Sequence, residues 1–518
     1  MILRLLLAAL LWVVVVLTFT ATNLRVAGFS PPPTFHNNNN NQSRPNDPSL
    51  SKMTMTSHQQ QQLAAAAGGQ PYISISDAFD GGNIQFVGQS LTSENNEITV
   101  ELAIQKDPFS ELEQTHHYQY FAFRATAVGP AEGVRVKFVI VNAGEVSYPA
   151  AWEGSTVCFS PTLQLDDNVS SWQRKVETRY DASQKLLSWT HTYNREGESQ
   201  YFSYFVPFSY QNHLQLVSKC AAAAANRGAV LTSLGQSLEG RDIDLITMGT
   251  GNRTAWIIHR QHPGESQASF YAEGLLGRLL GFENDKANLD DNVQKLLERY
   301  TLYIVPCMCP DGVFKGHLRT NACGANLNRE WATTQEDYPA PTLERSPEVY
   351  HVLRRMEESP PDLFLDIHGD EELPVNFLAG AQGTPHWGPR MEHLHGAFLA
   401  AYVRANSDMQ QAVGYTPVDP DKVVVNTATK VVATRFDCLS FTLEMPFKDC
   451  ATNPDPQHGW SPNRARQLGA SVVDPLLYIH PHLRAEGDFW KDFPAEDAYV
   501  RPQHRPFTYG PQNEVLDL

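Results

Sequence analysis

Five short apolar runs in the second half of the chain constrain its fold most: Ile243–Ile246, Trp256–His259, Tyr300–Val305, Leu363–Ile367 and Leu439–Leu443. Each is too short for a packed helix and has the composition of a buried strand. Longer segments with apolar residues at helical spacing lie between and after them, over 268–280, 289–299, 347–357, 388–404 and 462–478. Ser346-Pro347 reads as an N-cap followed by proline at the first helical position. Buried strands alternating with helices imply an α/β unit, a mixed, mainly parallel sheet flanked by helices. It is expected over residues 213–485.

The preceding stretch, 71–212, has another period. Ile98–Leu102, Tyr120–Arg124, Val134–Val141 and Tyr201–Phe205 alternate apolar and polar residues between turn residues. That pattern predicts an all-β antiparallel sandwich domain. No catalytic constellation stands out in it, and His116-His117 reads as a turn.

Residues 1–22 carry Arg4 and then an apolar run to about Ala21, which reads as a signal peptide or an uncleaved anchor. The segment 23–70 has Asn and Gln runs and almost no acid, so it cannot bury a core and is expected to be a disordered linker or transit-like segment. Val26-Ala27-Gly28-Phe29 resembles the junction of bipartite plastid presequences. The expected location is the secretory pathway, with a secreted, tethered or organellar end point. Residues 486–518 are Pro-rich and aromatic and read as a surface tail. There are no internal repeats.

The net charge of −17 argues against nucleic acid as a partner, because phosphate binding needs a basic face. Seven scattered cysteines do not make a disulfide framework. An acidic chain is also not steered toward acidic tails, so a cleft that takes them must be locally basic.

Chemistry gathers at the ends of the strand-like runs. His262-Pro263-Gly264-Glu265 follows one of them, and an imidazole and a carboxylate three residues apart can both reach one Zn²⁺. His368-Gly369 follows a second run, and Glu444 ends a third. In α/β sheets ligands bind at the carboxyl ends of strands. Pro310-Asp311-Gly312, Arg319 and Asn328-Arg329 lie between.

These motifs, with Asp366-Ile367-His368-Gly369 and Thr442-Leu443-Glu444, resemble the zinc carboxypeptidase family. The similarity is strongest to its cytosolic carboxypeptidase branch, which includes enzymes that trim glutamates from protein tails. It runs over about 73–485, and Phe79-Asp80-Gly81-Gly82-Asn83-Ile84 is similar to the opening of that branch's N-terminal domain. The resemblance implies one zinc per chain held by His262, Glu265 and His368. It implies Glu444 as general base, Arg319 as stabiliser of the oxyanion, and Asn328 and Arg329 as the grip on the terminal carboxylate. The implied substrates are the C-terminal tails of peptides or proteins, with glutamate as one candidate residue. Arg435 and Lys430 are the basic candidates for the side-chain pocket, Arg435 being favoured. Two departures stand out: Cys309 where Asn is usual, and Asp370-Glu371 after the His-Gly pair. Alternative readings are an N-acyl amino acid deacylase on the same metal site and a silent binding protein. A cytoplasmic location is the alternative usual for the branch.

Overall fold

The structure, a computed structural model, describes residues 69–92, 97–110, 116–165, 171–175, 177–282, 290–332, 340–419 and 422–504. The signal-like stretch and nearly all of the 23–70 segment lie outside them. No helix among the described residues is long and apolar enough to cross a membrane.

The N-terminal part contains β1 (Tyr72–Ser76), β2 (Gln85–Thr92), β3 (Glu97–Ala103), β4 (Ala122–Val128), β5 (Val134–Ile140), β6 (Val157–Ser160), β7 (Gln173–Lys175), β8 (Arg179–Asp181), β9 (Leu186–Tyr193) and β10 (Ser199–Ser203). They form two five-stranded sheets, ordered β1-β4-β10-β6-β7 and β2-β3-β5-β9-β8. Aromatic side chains from both sheets meet: Phe138 of β5 lies 4.8 Å from Phe202 of β10 and 5.9 Å from Phe123 of β4. Alternation along β5, where Val134, Val136 and Phe138 are buried and Arg135 and Lys137 exposed, produces this inner face. One pair departs from the expected antiparallel arrangement, since β3 and β5 run parallel. Period-2 patterning reports which face is buried and says nothing of strand direction.

Next come α1 (Tyr210–Arg227), β11 (Val230–Gln236), β12 (Asp242–Met248), β13 (Arg253–His259), α2 (Gln267–Leu280), α3 (Asp291–Arg299), β14 (Tyr300–Val305), α4 (Pro310–Lys315), α5 (Pro347–Glu358), β15 (Leu363–Ile367), β16 (Phe377–Gly380), α6 (Pro389–Ala405), α7 (Ala428–Phe436), β17 (Leu439–Glu444), α8 (Pro462–Ser471) and α9 (Val473–Ile479). The seven strands form one mixed sheet, ordered β11-β12-β14-β13-β15-β17-β16. β14, β13, β15 and β17 are mutually parallel and buried, while β11, β12 and β16 add antiparallel edges. The parallel character is therefore confined to the centre. The helix expected over 462–478 divides into α8 and α9 around Val472, because Pro475 has no N–H to continue the ladder. Ser346 does precede α5, but it makes no capping bond and its hydroxyl donates to Glu330 instead.

Arg174 of β7 joins the two parts, donating to the carbonyls of His458, Phe447 and Trp460 at 2.9, 3.0 and 2.7 Å. Tyr204 stacks on Phe447 with ring centroids 4.7 Å apart.

One buried carboxyl works against the fold. Burial pushes Glu348 of α5 up to about 8, and its Oε1 has no hydrogen-bond partner. Unfolded, it titrates near 4.5. Between those values the folded chain keeps a proton that the unfolded chain releases, so this residue lowers stability as pH rises through that window. Glu348→Gln is therefore expected to stabilise by about 1–3 kcal/mol at pH 7.5 and by almost nothing at pH 4.5. Urea titrations at both pH values check this, and an equal shift at both would rule it out.

Candidate active site

The central strands lie side by side in register, Ile258 opposite Asp366 and Asp366 opposite Thr442. Their carboxyl ends therefore deliver side chains to one place. The turn after β13 brings His262 and Glu265, the residue following β15 brings His368, and the end of β17 brings Glu444.

His262 Nδ1 lies 2.6 Å from Glu265 Oε1, His368 Nδ1 lies 2.8 Å from Glu265 Oε2, and the two Nδ1 atoms are 3.1 Å apart. Among the described residues this is the group of His, Cys, Asp or Glu able to hold a metal ion, with donor atoms all within 4.8 Å of one another. Each imidazole is oriented through its other nitrogen. His262 Nε2 is 3.0 Å from Asn326 Oδ1, and His368 Nε2 is 2.9 Å from Asp366 Oδ1. Two nitrogens and a carboxylate, each braced from behind, are the donor set and outer shell that Zn²⁺ takes. Burial pushes His262 down to about 3, which leaves the neutral imidazole a metal needs. Burial also acts to lower His368, but Asp366 and Glu265 outweigh it and hold its proton until a cation displaces it.

A cleft of about 360 Å³ opens over this cluster. Glu444 faces it, 7% exposed, with Oε2 unpartnered and Oε1 3.3 Å from the Tyr415 hydroxyl. Burial pushes Glu444 well above the usual carboxylate range; His368 opposes this, and Glu265, Asp370 and Glu371 reinforce it. Arg319, Asn328 and Arg329 also line the cleft. Asn328 Oδ1 accepts from the Ala428 N–H at 2.9 Å, which ties its loop to the start of α7. Lys430, two residues further on, lines the cleft beside Thr429 and Thr442, and burial and then Arg329 lower its pKa.

Arg435 is not part of the site. Five residues after Lys430 on the same helix it points away from the cleft and pairs with Glu357. Sequence distance to Glu444 favoured it; helical phase decides against it. Asp311 is structural too, bonded to Ser237 Oγ and Arg241 Nη1, both at 2.7 Å. Cys309 stands before α4 and makes no capping bond.

Three contributors were not legible in the sequence. Tyr415 comes from the loop before α7. Tyr148 comes from the connection between β5 and β6, its backbone fixed at 2.8 and 3.1 Å by the buried Gln119 amide. Asp107, also N-terminal and 3% exposed, accepts from the Leu318, Arg319 and Thr320 N–H groups at 2.7, 2.8 and 2.9 Å. It thereby fixes the loop that carries Arg319.

Residues 75–205 match the family described as cytosolic carboxypeptidase N-terminal domain, and residues 213–457 match zinc carboxypeptidase. A metallo-carboxypeptidase from Pseudomonas aeruginosa is 37% identical, aligning 79% of this chain with 100% of its own at a TM-score of 0.69. The chain belongs to the zinc carboxypeptidase family. As a zinc carboxypeptidase it is a peptide hydrolase, and the His262, Glu265 and His368 cluster fits the family's metal. A second such enzyme, from Burkholderia cenocepacia, is 36% identical over 79% of this zinc carboxypeptidase and 99% of its own chain, at a TM-score of 0.68. Mouse cytosolic carboxypeptidase 2 is 25% identical over 73% of this chain, which spans only 44% of that relative's length.

Proposed function

We propose that this zinc carboxypeptidase releases single residues from the C-termini of peptide or protein tails and prefers an acidic final residue. One observation carries the reading: a donor cluster for zinc, an unpaired carboxyl and a basic pole made by Arg329 and Lys430 line one cleft.

His262, Glu265 and His368 would hold the ion, which when bound acidifies a water and polarises a carbonyl. Two positive charges at that cluster would also draw the Glu444 carboxyl back toward its ionised form. Glu444 would take the proton of the attacking water and return it to the leaving amine. Arg319 would steady the negative charge that develops on the carbonyl oxygen, its backbone held by Asp107. Asn328 and Arg329 would grip the terminal carboxylate, Arg as a two-pronged donor, which restricts cleavage to the last residue.

Lys430 supports the acidic preference, because it brings a cation to the cleft beside Arg329. Release of amino acids from matched peptides ending in Glu, Phe or Lys, with and without chelator, tests the reading. Chelator-sensitive release that favours Glu is expected. Lys430→Met should reduce that preference by roughly 10- to 100-fold, the worth of a hydrogen bond to a charged group. Release indifferent to Lys430 would remove the acidic preference. No release from any of the peptides, with zinc bound, would favour amide substrates outside peptides.

A further inference from the structure

The cleft has two poles. Asn328, Arg329 and Lys430 form one, knit together by the Asn328–Ala428 bond and the nearness of Lys430 to Arg329. Asp370, Glu371 and Glu372 line the other, beside Tyr148 and Arg319. The metal cluster and Glu444 belong to the same cleft. With the final carboxylate of a tail gripped at the basic pole and its scissile carbonyl at the donor cluster, the acidic pole is the part of the cleft lining left to meet the preceding residues.

The three acids are not equivalent. Asp370 is satisfied: its Oδ2 accepts from the Tyr415 hydroxyl at 2.5 Å, and its Oδ1 accepts from the Glu372 and Leu373 N–H groups at 2.8 and 2.5 Å. Glu372 is exposed to solvent. Glu371 is only 6% exposed, lines the cleft, and its carboxylate makes no hydrogen bond or ion pair to another described residue. The cation that acts on it is Arg319, which lines the same cleft. Burial favours the protonated form of Glu371 and Arg319 opposes this; a buried carboxyl with no hydrogen-bonded side-chain partner is completed best by a cationic ligand.

We infer that Glu371 is a specificity residue that receives a basic side chain at the position before the scissile bond. The inference rests on the carboxypeptidase reading and narrows its substrate class. The enzyme would remove an acidic residue that follows Lys or Arg, and would be slow on runs of consecutive acidic residues. Asp370 and Glu372 contribute to the same field, and Tyr148 walls that end of the cleft.

The test uses acetylated tripeptides, Ac-Ala-X-Glu and Ac-Ala-X-Leu, with X as Lys, Ala or Glu, read as kcat/KM at low salt. The wild-type enzyme should rank X as Lys, then Ala, then Glu, with roughly 10- to 100-fold between the extremes. Glu371→Gln should collapse the Lys-to-Glu ratio toward one, and Glu371→Asp should retain its direction. A role limited to packing would lower every peptide alike and leave the ratio intact. A wild-type ratio at or below one, or a ratio unchanged in Glu371→Gln, overturns the inference. Failure of the acidic preference appears instead in the comparison of Glu-ending with Leu-ending peptides at fixed X. Release from no peptide overturns both readings.

Discussion

Glu444→Gln is expected to lower kcat by about 10²–10⁴-fold, the usual contribution of a general base. The substitution changes little else. Gln keeps the shape of a side chain that is 7% exposed, and it can still accept from the Tyr415 hydroxyl. It cannot take a proton. Because Glu444 lies outside the metal-binding cluster, zinc content should stay at the wild-type level. Because it lies outside the carboxylate grip, KM should change much less than kcat. Steady-state kinetics beside a zinc assay on the same preparation would decide the matter. More than a tenth of wild-type turnover, with zinc retained, would remove Glu444 from its assigned role.

The second large effect concerns the metal itself. His368→Ala removes one of three donors and leaves Glu265 with His262 and the Gly369 N–H, which donates to Glu265 Oε2 at 3.0 Å. If a zinc site's binding energy is shared among its ligands, losing one weakens binding by roughly 10³-fold. The variant should therefore emerge from dialysis without zinc and without activity. The strand beneath should survive, since Leu363–Ile367 is buried and hydrogen-bonded on both sides. Circular dichroism should thus match wild type while metal analysis does not. Stoichiometric zinc and full activity in His368→Ala would show that the ion sits elsewhere.

Much of this architecture could be read from residue order. The buried runs of β13, β14, β15 and β17 are continuous and apolar, so composition alone marks them, and the metal and base residues follow at their ends. What escaped was of four physical kinds. Helix α1 ends in an alanine run, Ala221–Ala225, that offers no large apolar residue to mark a face; its signals are the Ser209 capping box and Gly228 at φ 63°. Strands β11 and β16 are edges, only partly buried, so their apolar pattern is weak. The side-chain pocket turned on helical phase within Ala428–Phe436, where Lys430 and Arg435 face different ways, and α7 was not read as a helix at all. Tyr148 and Asp107 belong to a fourth class. Their roles arise from contacts across more than a hundred residues, and nothing local in their own segments marks them.

Asp107 also has a consequence for how the enzyme stays together. Its carboxylate takes up three consecutive N–H groups and the Thr320 hydroxyl of a loop some two hundred residues downstream. The N-terminal sheets share one compact unit and one hydrophobic core with the strands that follow. The loop bearing Arg319 is thus held in place by a residue of the other part of the chain. A chain cut between Asp107 and Leu318 would have to keep its two pieces docked for that loop to hold its place.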